Sequence, residues 1–170
     1  QLWHVGRISH SSLHPAEGLP IAPSSIKPDG KVYTASWALA EYETPRAMTL
    51  DDIKVLKAQY VHAATQAKVA GFDGIELHAA NGYLLDQFLQ DRTNQRTDTY
   101  GGSIENRCKL VLEILEDIIP IWSSGRVGIR LSPFGTFNDI ADSDPVGLFS
   151  YLINALNRFN LAYLHLIEPR

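Results

Sequence analysis

The chain has 170 residues, of which 45% are hydrophobic and 20% charged, and its formal net charge is −4. This composition predicts a folded domain with a hydrophobic core, offers no basic patch for nucleic acid, and contains no apolar run near the ~20 residues of a membrane span. Cys108 is the single cysteine, so we expect no disulfide framework, no thiolate metal cluster and a reducing, cytoplasmic location.

The chain opens on Gln1-Leu2-Trp3-His4, which we interpret as the end of a strand, and it ends directly after an apolar run. Natural domains seldom begin and end on strands, so we expect the chain to be a piece of a longer protein. Five prolines interrupt the stretch before Leu50. We therefore interpret residues 8–46 as a long excursion that carries a small hairpin around Asp29-Gly30.

From Leu50 onward the sequence alternates between helices and strands. Apolar residues at spacings of three and four predict three amphipathic helices, and the first of them ends at Gly71. Each helix has a local start signal: Thr49 with Asp52, Ser103, and Pro145. The predicted strands are short and apolar: 74–78, 127–131 and 162–167. Repeated strand–helix units indicate a parallel sheet with helices outside it.

The fold class is predicted to be α/β. The pattern by itself is compatible with a doubly wound sheet and with a barrel, but no G-x-G-x-x-G follows any strand, which disfavours a dinucleotide-binding sheet. A (β/α)8 barrel needs about 250 residues and eight strands. Counting residues 1–4 as the end of a strand, the chain has four strands. The prediction is thus a partial (β/α)8 TIM barrel with about half of its strands.

The most informative segment joins the strand 74–78 to polar side chains. His78 and Asn81 are three residues apart, and Tyr83 follows two residues later. The C-terminal ends of strands carry the chemistry in α/β folds, so these groups could hold a carbonyl oxygen and deliver a proton beside it. Alternatively, His78 is a structural histidine and Asn81-Gly82 a hairpin turn. The residues after Tyr83 have a helical pattern, which disfavours the hairpin.

Other candidate residues have both a functional and a structural interpretation. Arg130 lies in an apolar strand, so its charge must be paired across strands or bind an anionic ligand. Gln1 could present its amide to a heterocycle, and Trp3 could line a cavity; an exposed residue and core packing are the alternatives. His10 and His14 have a helical spacing, but prolines and serines around them argue against a helix, so no metal site is expected.

Taken together, six stretches in order resemble the Old Yellow Enzyme family of flavin-dependent ene-reductases, over nearly the whole chain. They are QLWHVGR at 1–7, TPR at 44–46, HAANGYL at 78–84, NQRTD at 94–98, YGGSIENR at 100–107 and GIRLSP at 128–133. Residues 161–170 look most like the branch that contains N-ethylmaleimide and oxophytodienoate reductases.

The resemblance implies that residues 1–170 are the central part of one FMN-binding (β/α)8 barrel domain. By position, Gln1 matches the glutamine that hydrogen-bonds the flavin's pyrimidine edge. Arg130 matches the arginine beside the flavin N1 and O2 atoms, where a positive charge stabilises the anionic reduced flavin. The implied cofactors are FMN and, as reductant, NADPH or NADH.

The resemblance also implies which residues would contact the substrate. His78 and Asn81 match the pair that grips the substrate's carbonyl or nitro oxygen, Tyr83 matches the proton donor, and Trp3 matches a residue that lines the active site. The implied reaction transfers hydride from NAD(P)H through the flavin to the activated C=C bond of an α,β-unsaturated carbonyl or nitro compound. The expected partner is this small molecule, and the full-length protein is expected to be a monomer or homodimer.

Two alternatives remain open. The first is a non-catalytic truncated fragment of such an enzyme, which needs the missing barrel half or a partner to fold, because an open half-barrel exposes strand edges. The second is a flavin-free barrel enzyme, such as a lyase that uses His78 and Tyr83 as acid and base. The second alternative gives Gln1 and Arg130 no role.

Overall fold

The computed structural model describes residues 1–14 and 18–168; residues 15–17 of the predicted excursion and 169–170 of the last resembling stretch lie outside it. Three short strands lie within the excursion and a fourth begins at its end: β1 (Ile21–Ala22), β2 (Lys31–Tyr33), β3 (Leu39–Glu41) and β4 (Arg46–Ala47). β1 pairs with β4 in parallel, and β2 with β3 antiparallel.

The β2–β3 pair is a hairpin, but it does not turn at Asp29-Gly30 as predicted. Backbone hydrogen bonds from Thr34 N to Ala38 O (2.9 Å) and from Trp37 N to Thr34 O (2.9 Å) close its turn. Asp29-Gly30 forms a bend before β2 instead, with Gly30 at φ 101°. A turn signal shows that the chain can bend there, whereas strand pairing decides which bend closes a hairpin.

The three predicted amphipathic helices begin where their start signals place them, and a short additional helix, without a side-chain cap, follows Tyr83. They are α1 (Leu50–Val69), α2 (Leu84–Leu89), α3 (Ile104–Trp122) and α4 (Pro145–Leu156). Thr49 Oγ1 accepts a hydrogen bond from Asp52 N at 3.1 Å, and Asp52 Oδ2 accepts one from Thr49 N at 2.6 Å, which completes a capping box. Ser103 caps α3. None of the helices formed by the described residues is long and apolar enough to cross a membrane.

The main sheet is parallel throughout. Its strands β5 (Ile75–Ala79), β6 (Val127–Leu131) and β7 (Tyr163–Leu166) pair in that order. Leu2 extends the sheet beyond β5, since its N donates to Glu76 O at 2.8 Å and its O accepts from His78 N at 3.0 Å. The predicted strand end at residues 1–4 is therefore confirmed, and β5 and β7 differ from their predicted bounds by one residue.

The two faces of the sheet differ in chemistry. One face packs against α1, α3 and α4 around a continuous core, and its strand residues are Ile75, Leu77, Ala79, Val127, Ile129 and Leu131. The opposite face carries the polar residues Glu76, His78, Arg130 and His165. A doubly wound sheet has helices on both faces, whereas a barrel has them on the outer face only. The described residues follow the barrel pattern.

Candidate functional site

The site lies on the polar face, toward the C-terminal ends of the strands. The parallel register places His78 opposite Arg130, and Arg130 opposite His165. Leu2 pairs with Leu77, so the alternation along the strand brings Trp3 to the same end of the sheet as His78. Residues that are far apart in the sequence therefore meet here because parallel strands end at the same edge.

Three aromatic rings form a cluster at this edge. The rings of Trp3 and Tyr83 meet edge to face with centroids 4.8 Å apart, and those of His78 and Tyr83 do so at 5.3 Å. Trp3 and His78 are 5.6 Å apart. His78 is only 5% exposed, whereas Trp3 is 53% exposed. The His78 imidazole is thus buried within the cluster, whereas the Trp3 indole is exposed at its edge.

The electrostatics of the cluster keep His78 neutral at pH 7. Burial and, to a smaller extent, the positive charge of Arg130 together lower the pKa of His78 to about 4, against a smaller opposing effect of Glu76. His78 Nδ1 and Arg130 Nε are both buried and have no hydrogen-bond partner among the described residues. No ion pair of Arg130 occurs in the described part of the chain, so the cross-strand salt bridge is not found there.

Asn81 lies in the turn that leads from β5 to α2. Asn81 and Gly82 both have left-handed backbones, with φ 58° and 72°. Asn81 N donates to Ser132 Oγ at 2.7 Å, and Asn81 O accepts from Asn138 Nδ2 at 2.8 Å. Because α2 follows at once, the turn is a strand–helix connection, and the hairpin alternative is wrong.

A buried carboxylate that the sequence analysis missed supports this turn. Asp86 Oδ2 accepts from Gly82 N (2.8 Å) and from the Ser132 hydroxyl (3.2 Å), and Oδ1 accepts from Gln90 Nε2 (2.7 Å). Asp86 is 0% exposed, and burial raises its pKa to about 6. A charged residue within the otherwise largely apolar segment Leu84–Leu89 was a local signal that could have revealed it.

A neighbouring amide and a buried guanidinium join the loops around the site. Gln87 Nε2 donates to Gly82 O at 2.7 Å and to Val5 O at 3.2 Å, and Gln87 Oε1 accepts from Arg7 N at 3.2 Å. The Arg7 side chain, 1% exposed, donates to three loop carbonyls, those of Ile26, Asn138 and Asp139. The excursion, the start of the chain and the loop after β6 are thereby held together.

Gln1 is exposed and lies beside Glu76 on the same face, further from the C-terminal ends of the strands. Its Nε2 donates to Glu76 Oε1 at 2.5 Å, and the other Glu76 oxygen lies 3.0 Å from His165 Nδ1. The amide oxygen of Gln1 is thereby turned away from the carboxylate. His14 Nε2 lies 2.7 Å from Ser9 Oγ, and the described residues contain no group of three or more His, Cys, Asp or Glu that could hold a metal ion.

This donor set fits a flavin. Two buried nitrogens, His78 Nδ1 and Arg130 Nε, need partners and lie on one face beside the Gln1 amide. Leaving such groups unpaired costs free energy, so a ligand with several carbonyl oxygens and ring nitrogens suits the face. Arg130 adds a positive charge, which suits an electron-rich heterocycle.

Comparisons with known proteins agree with the assignment of a flavin-binding site. The family model described as "NADH:flavin oxidoreductase / NADH oxidase family" matches residues 1–170. A putative 12-oxophytodienoate reductase 11 of Oryza sativa subsp. japonica is 45% identical over 172 residues, covering 100% of this chain and 46% of that protein. The solved structure of morphinone reductase matches with a TM-score of 0.94 and 44% identity, covering 100% of this chain and 47% of the other.

Two further structures are similar. Morphinone reductase in complex with tetrahydroNAD matches with a TM-score of 0.92 and 44% identity over 98% of this chain and 47% of the other. The old yellow enzyme homologue from Zymomonas mobilis has a TM-score of 0.93 and 39% identity, over 98% of this chain and 46% of the other. The chain thus spans about half the length of its relatives, which confirms the predicted partial barrel. The chain belongs to the NADH:flavin oxidoreductase / NADH oxidase family, as part of an Old Yellow Enzyme barrel.

Proposed function

We propose that the protein containing this chain is an FMN-dependent ene-reductase. It reduces the activated C=C bond of α,β-unsaturated carbonyl or nitro compounds with NADH or NADPH. The observation that carries this proposal is the cluster of Trp3, His78 and Tyr83 beside Arg130, with two buried nitrogens that lack partners among the described residues. The tetrahydroNAD complex of morphinone reductase supports a nicotinamide reductant.

Gln1 and Arg130 are the residues that would hold the cofactor. Glu76 takes one N–H of the Gln1 amide, so the amide oxygen and the second N–H are left to hydrogen-bond the heterocycle. Arg130 would place its charge beside the electron-rich edge of the ring. When bound, FMN supplies the two-electron chemistry that links the nicotinamide to the substrate.

His78 and Asn81 would bind the substrate's oxygen. With its pKa near 4, His78 is a neutral imidazole at pH 7 and has one N–H to donate. The Asn81 amide supplies a second donor, and it does not titrate. Two fixed donors draw electron density from the conjugated C=C bond and make its β-carbon electrophilic, which is the electrostatic part of catalysis.

Tyr83 would donate the proton. Its phenol follows the oxygen-binding pair by two residues, and its ring is held edge to face by both Trp3 and His78. A phenol carries one O–H that it can donate. The exposed Trp3 indole would line the side of the site that the substrate's carbon skeleton contacts.

Tyr83→Phe tests the proton donor. We expect nicotinamide oxidation in the FMN-loaded protein to be unchanged, and enone reduction to slow by about 100- to 10,000-fold, the usual contribution of a positioned acid. Tyr100→Phe is the control, because its hydroxyl donates to Glu113 instead. Equal slowing of both half-reactions in Tyr83→Phe would contradict the assignment.

His78→Ala tests the oxygen-binding role. We expect it to weaken the binding of a simple phenol, a ligand whose oxygen would occupy the place of the substrate oxygen, by at least about tenfold. His62→Ala, an exposed histidine on α1, should bind the phenol as the unmodified protein does. Unchanged phenol affinity in His78→Ala would contradict the oxygen-binding role of His78.

A second candidate is a non-catalytic fragment. The observation that favours it is the uncovered sheet, where Tyr163 and Leu166 of β7 are 49% and 48% exposed. The 170-residue chain can be incubated with FMN and desalted, and its visible spectrum recorded. A retained flavin band would show that these residues assemble a binding site. A colourless protein would assign the chemistry to a longer protein.

A further inference from the structure

The turn that carries Asn81 and Tyr83 adopts a backbone that needs external support. Asn81 has a left-handed conformation (φ 58°), and Gly82 continues it (φ 72°). A side chain raises the free energy of this conformation, because Cβ approaches the following carbonyl oxygen. Such a conformation persists only when its surroundings impose it. The groups that bind this backbone therefore decide where the Asn81 amide and the Tyr83 phenol lie.

Two buried side chains provide that support through a directional relay. The Ser132 hydroxyl has a single hydrogen, which it donates to Asp86 Oδ2 at 3.2 Å. Its oxygen is thereby left to accept from Asn81 N at 2.7 Å. Asp86 Oδ2 also accepts directly from Gly82 N at 2.8 Å. One carboxylate oxygen thus orients two consecutive amides, one through the serine and one by itself.

The relay also connects two strand ends. Ser132 follows Leu131, the last residue of β6, which pairs with Ala79, the last residue of β5. The same β6 strand carries Arg130, which belongs to the proposed flavin side of the site. Ser132 therefore ties the oxygen-binding turn to the strand that presents the flavin-binding arginine.

Burial makes this relay rigid. Asp86 and Ser132 are 0% and 1% exposed, so solvent cannot replace the hydrogen bonds that hold the turn. No hydrogen bond joins either side chain to the ring cluster in the described part of the chain. Their hydrogen bonds to the backbone of residues 81 and 82 are therefore the route by which they act on the site.

We propose that Asp86 and Ser132 are positioning residues, which set the affinity for the substrate's oxygen by holding Asn81 in its left-handed conformation. This inference rests on the proposed function, because it assumes that Asn81 grips that oxygen. It predicts that loss of the Ser132 hydroxyl weakens oxygen binding without impairing the oxidation of the nicotinamide.

The test uses Ser132→Ala and Ser132→Thr in the FMN-loaded protein that contains this chain. For Ser132→Ala we expect the Kd for a simple phenol and the Michaelis constant for the enone cyclohexenone to rise about fivefold, the effect of one lost hydrogen bond. Nicotinamide oxidation should keep its rate. In the cofactor-free protein, hydrogen exchange at the Asn81 amide should accelerate about tenfold, since its acceptor is gone. Ser132→Thr keeps the hydroxyl and should restore three quantities to their original values: the Kd for phenol, the Michaelis constant for cyclohexenone and the exchange rate of the Asn81 amide.

Ser103→Ala is the matched control, because its hydroxyl also accepts one backbone N–H, that of Asn106, at 3.3 Å. It caps α3 and should change none of the three quantities. Ser132→Cys, whose thiol is only a weak acceptor, replaces Ser132→Ala if the alanine variant does not fold. Unchanged phenol affinity and unchanged Asn81 exchange would overturn the inference. If His78→Ala also leaves phenol binding unchanged, the proposed function fails; if only the Ser132 variants have no effect, this inference alone fails.

Discussion

Asp86 makes the stability of this protein depend on pH in an unusual direction. Burial raises the pKa of Asp86 from its ordinary value of 3.8 to about 6, although Gln90, Gly82 and Ser132 donate hydrogen bonds that lower it. At about 1.4 kcal/mol for each tenfold change in proton affinity, this difference corresponds to about 3 kcal/mol. The folded protein holds the proton more tightly than the unfolded chain. The free energy of unfolding therefore rises as the pH falls from about 6 towards 4, and above pH 6 the buried charge destabilises the fold by the full amount.

Asp86→Asn removes this charge and can keep the hydrogen bonds. The amide oxygen can take the place of Oδ2 opposite Gly82 and Ser132, and its NH2 group then faces Gln90, whose own amide can turn to accept. We expect the free energy of unfolding at pH 8 to increase by up to about 3 kcal/mol, and the difference from the unmodified protein to vanish near pH 4.

Urea unfolding of both proteins between pH 4 and pH 8 measures this difference. Asp51→Asn is the control, because Asp51 is an exposed carboxylate paired with Lys54 on α1. A difference between Asp86→Asn and the unmodified protein that stays constant over this pH range would refute the reasoning.

The remaining predictions concern the turn, the cofactor and a cap. Gly82→Ala should lower the free energy of unfolding by at least about 1 kcal/mol, because φ is +72° and the new Cβ would lie 2.5 Å from Phe137 O. A urea titration measures this change, and an unchanged midpoint would contradict the close approach. Arg130→Leu should lower FMN affinity at least about tenfold in a fluorescence titration, while the exposed Arg126→Leu should not; equal affinities would refute the flavin-side role. Thr49→Ala should cost about 1 kcal/mol of stability through loss of the capping box, and no change in thermal midpoint would show that the box contributes nothing.

The helices could be predicted because their signals act locally. Thr49 binds Asp52 three residues away, and Ser103 binds Asn106 in the same way, so start sites can be inferred from short windows. Strand bounds and the hairpin position were less accurate. β5 and β7 each end where hydrogen bonds to another strand end, and the turn at 34–38 is decided by pairing between β2 and β3.

The site residues also divide into those with a local sequence signal and those that depend on distant parts of the chain. His78, Asn81 and Tyr83 could be singled out because a strand end followed by polar groups is visible in a ten-residue window. Ser132 was missed, since nothing in its neighbourhood indicates that it binds a backbone amide 51 positions away. Asp86 did have a local signal, a carboxylate among apolar helix residues, but its partners could not be inferred from that.

The sequence by itself determined the alternation of strands and helices, the helix caps and the side chains that reach one edge of the sheet. It also determined the family, through six stretches in order. Only the tertiary structure decided that His78 is neutral, that Arg130 has no ion-pair partner in the described part of the chain, and that Gln1 binds Glu76. Those properties depend on burial and on distances between residues far apart in the chain. Neither exists until the strands have paired and water has been excluded from between them.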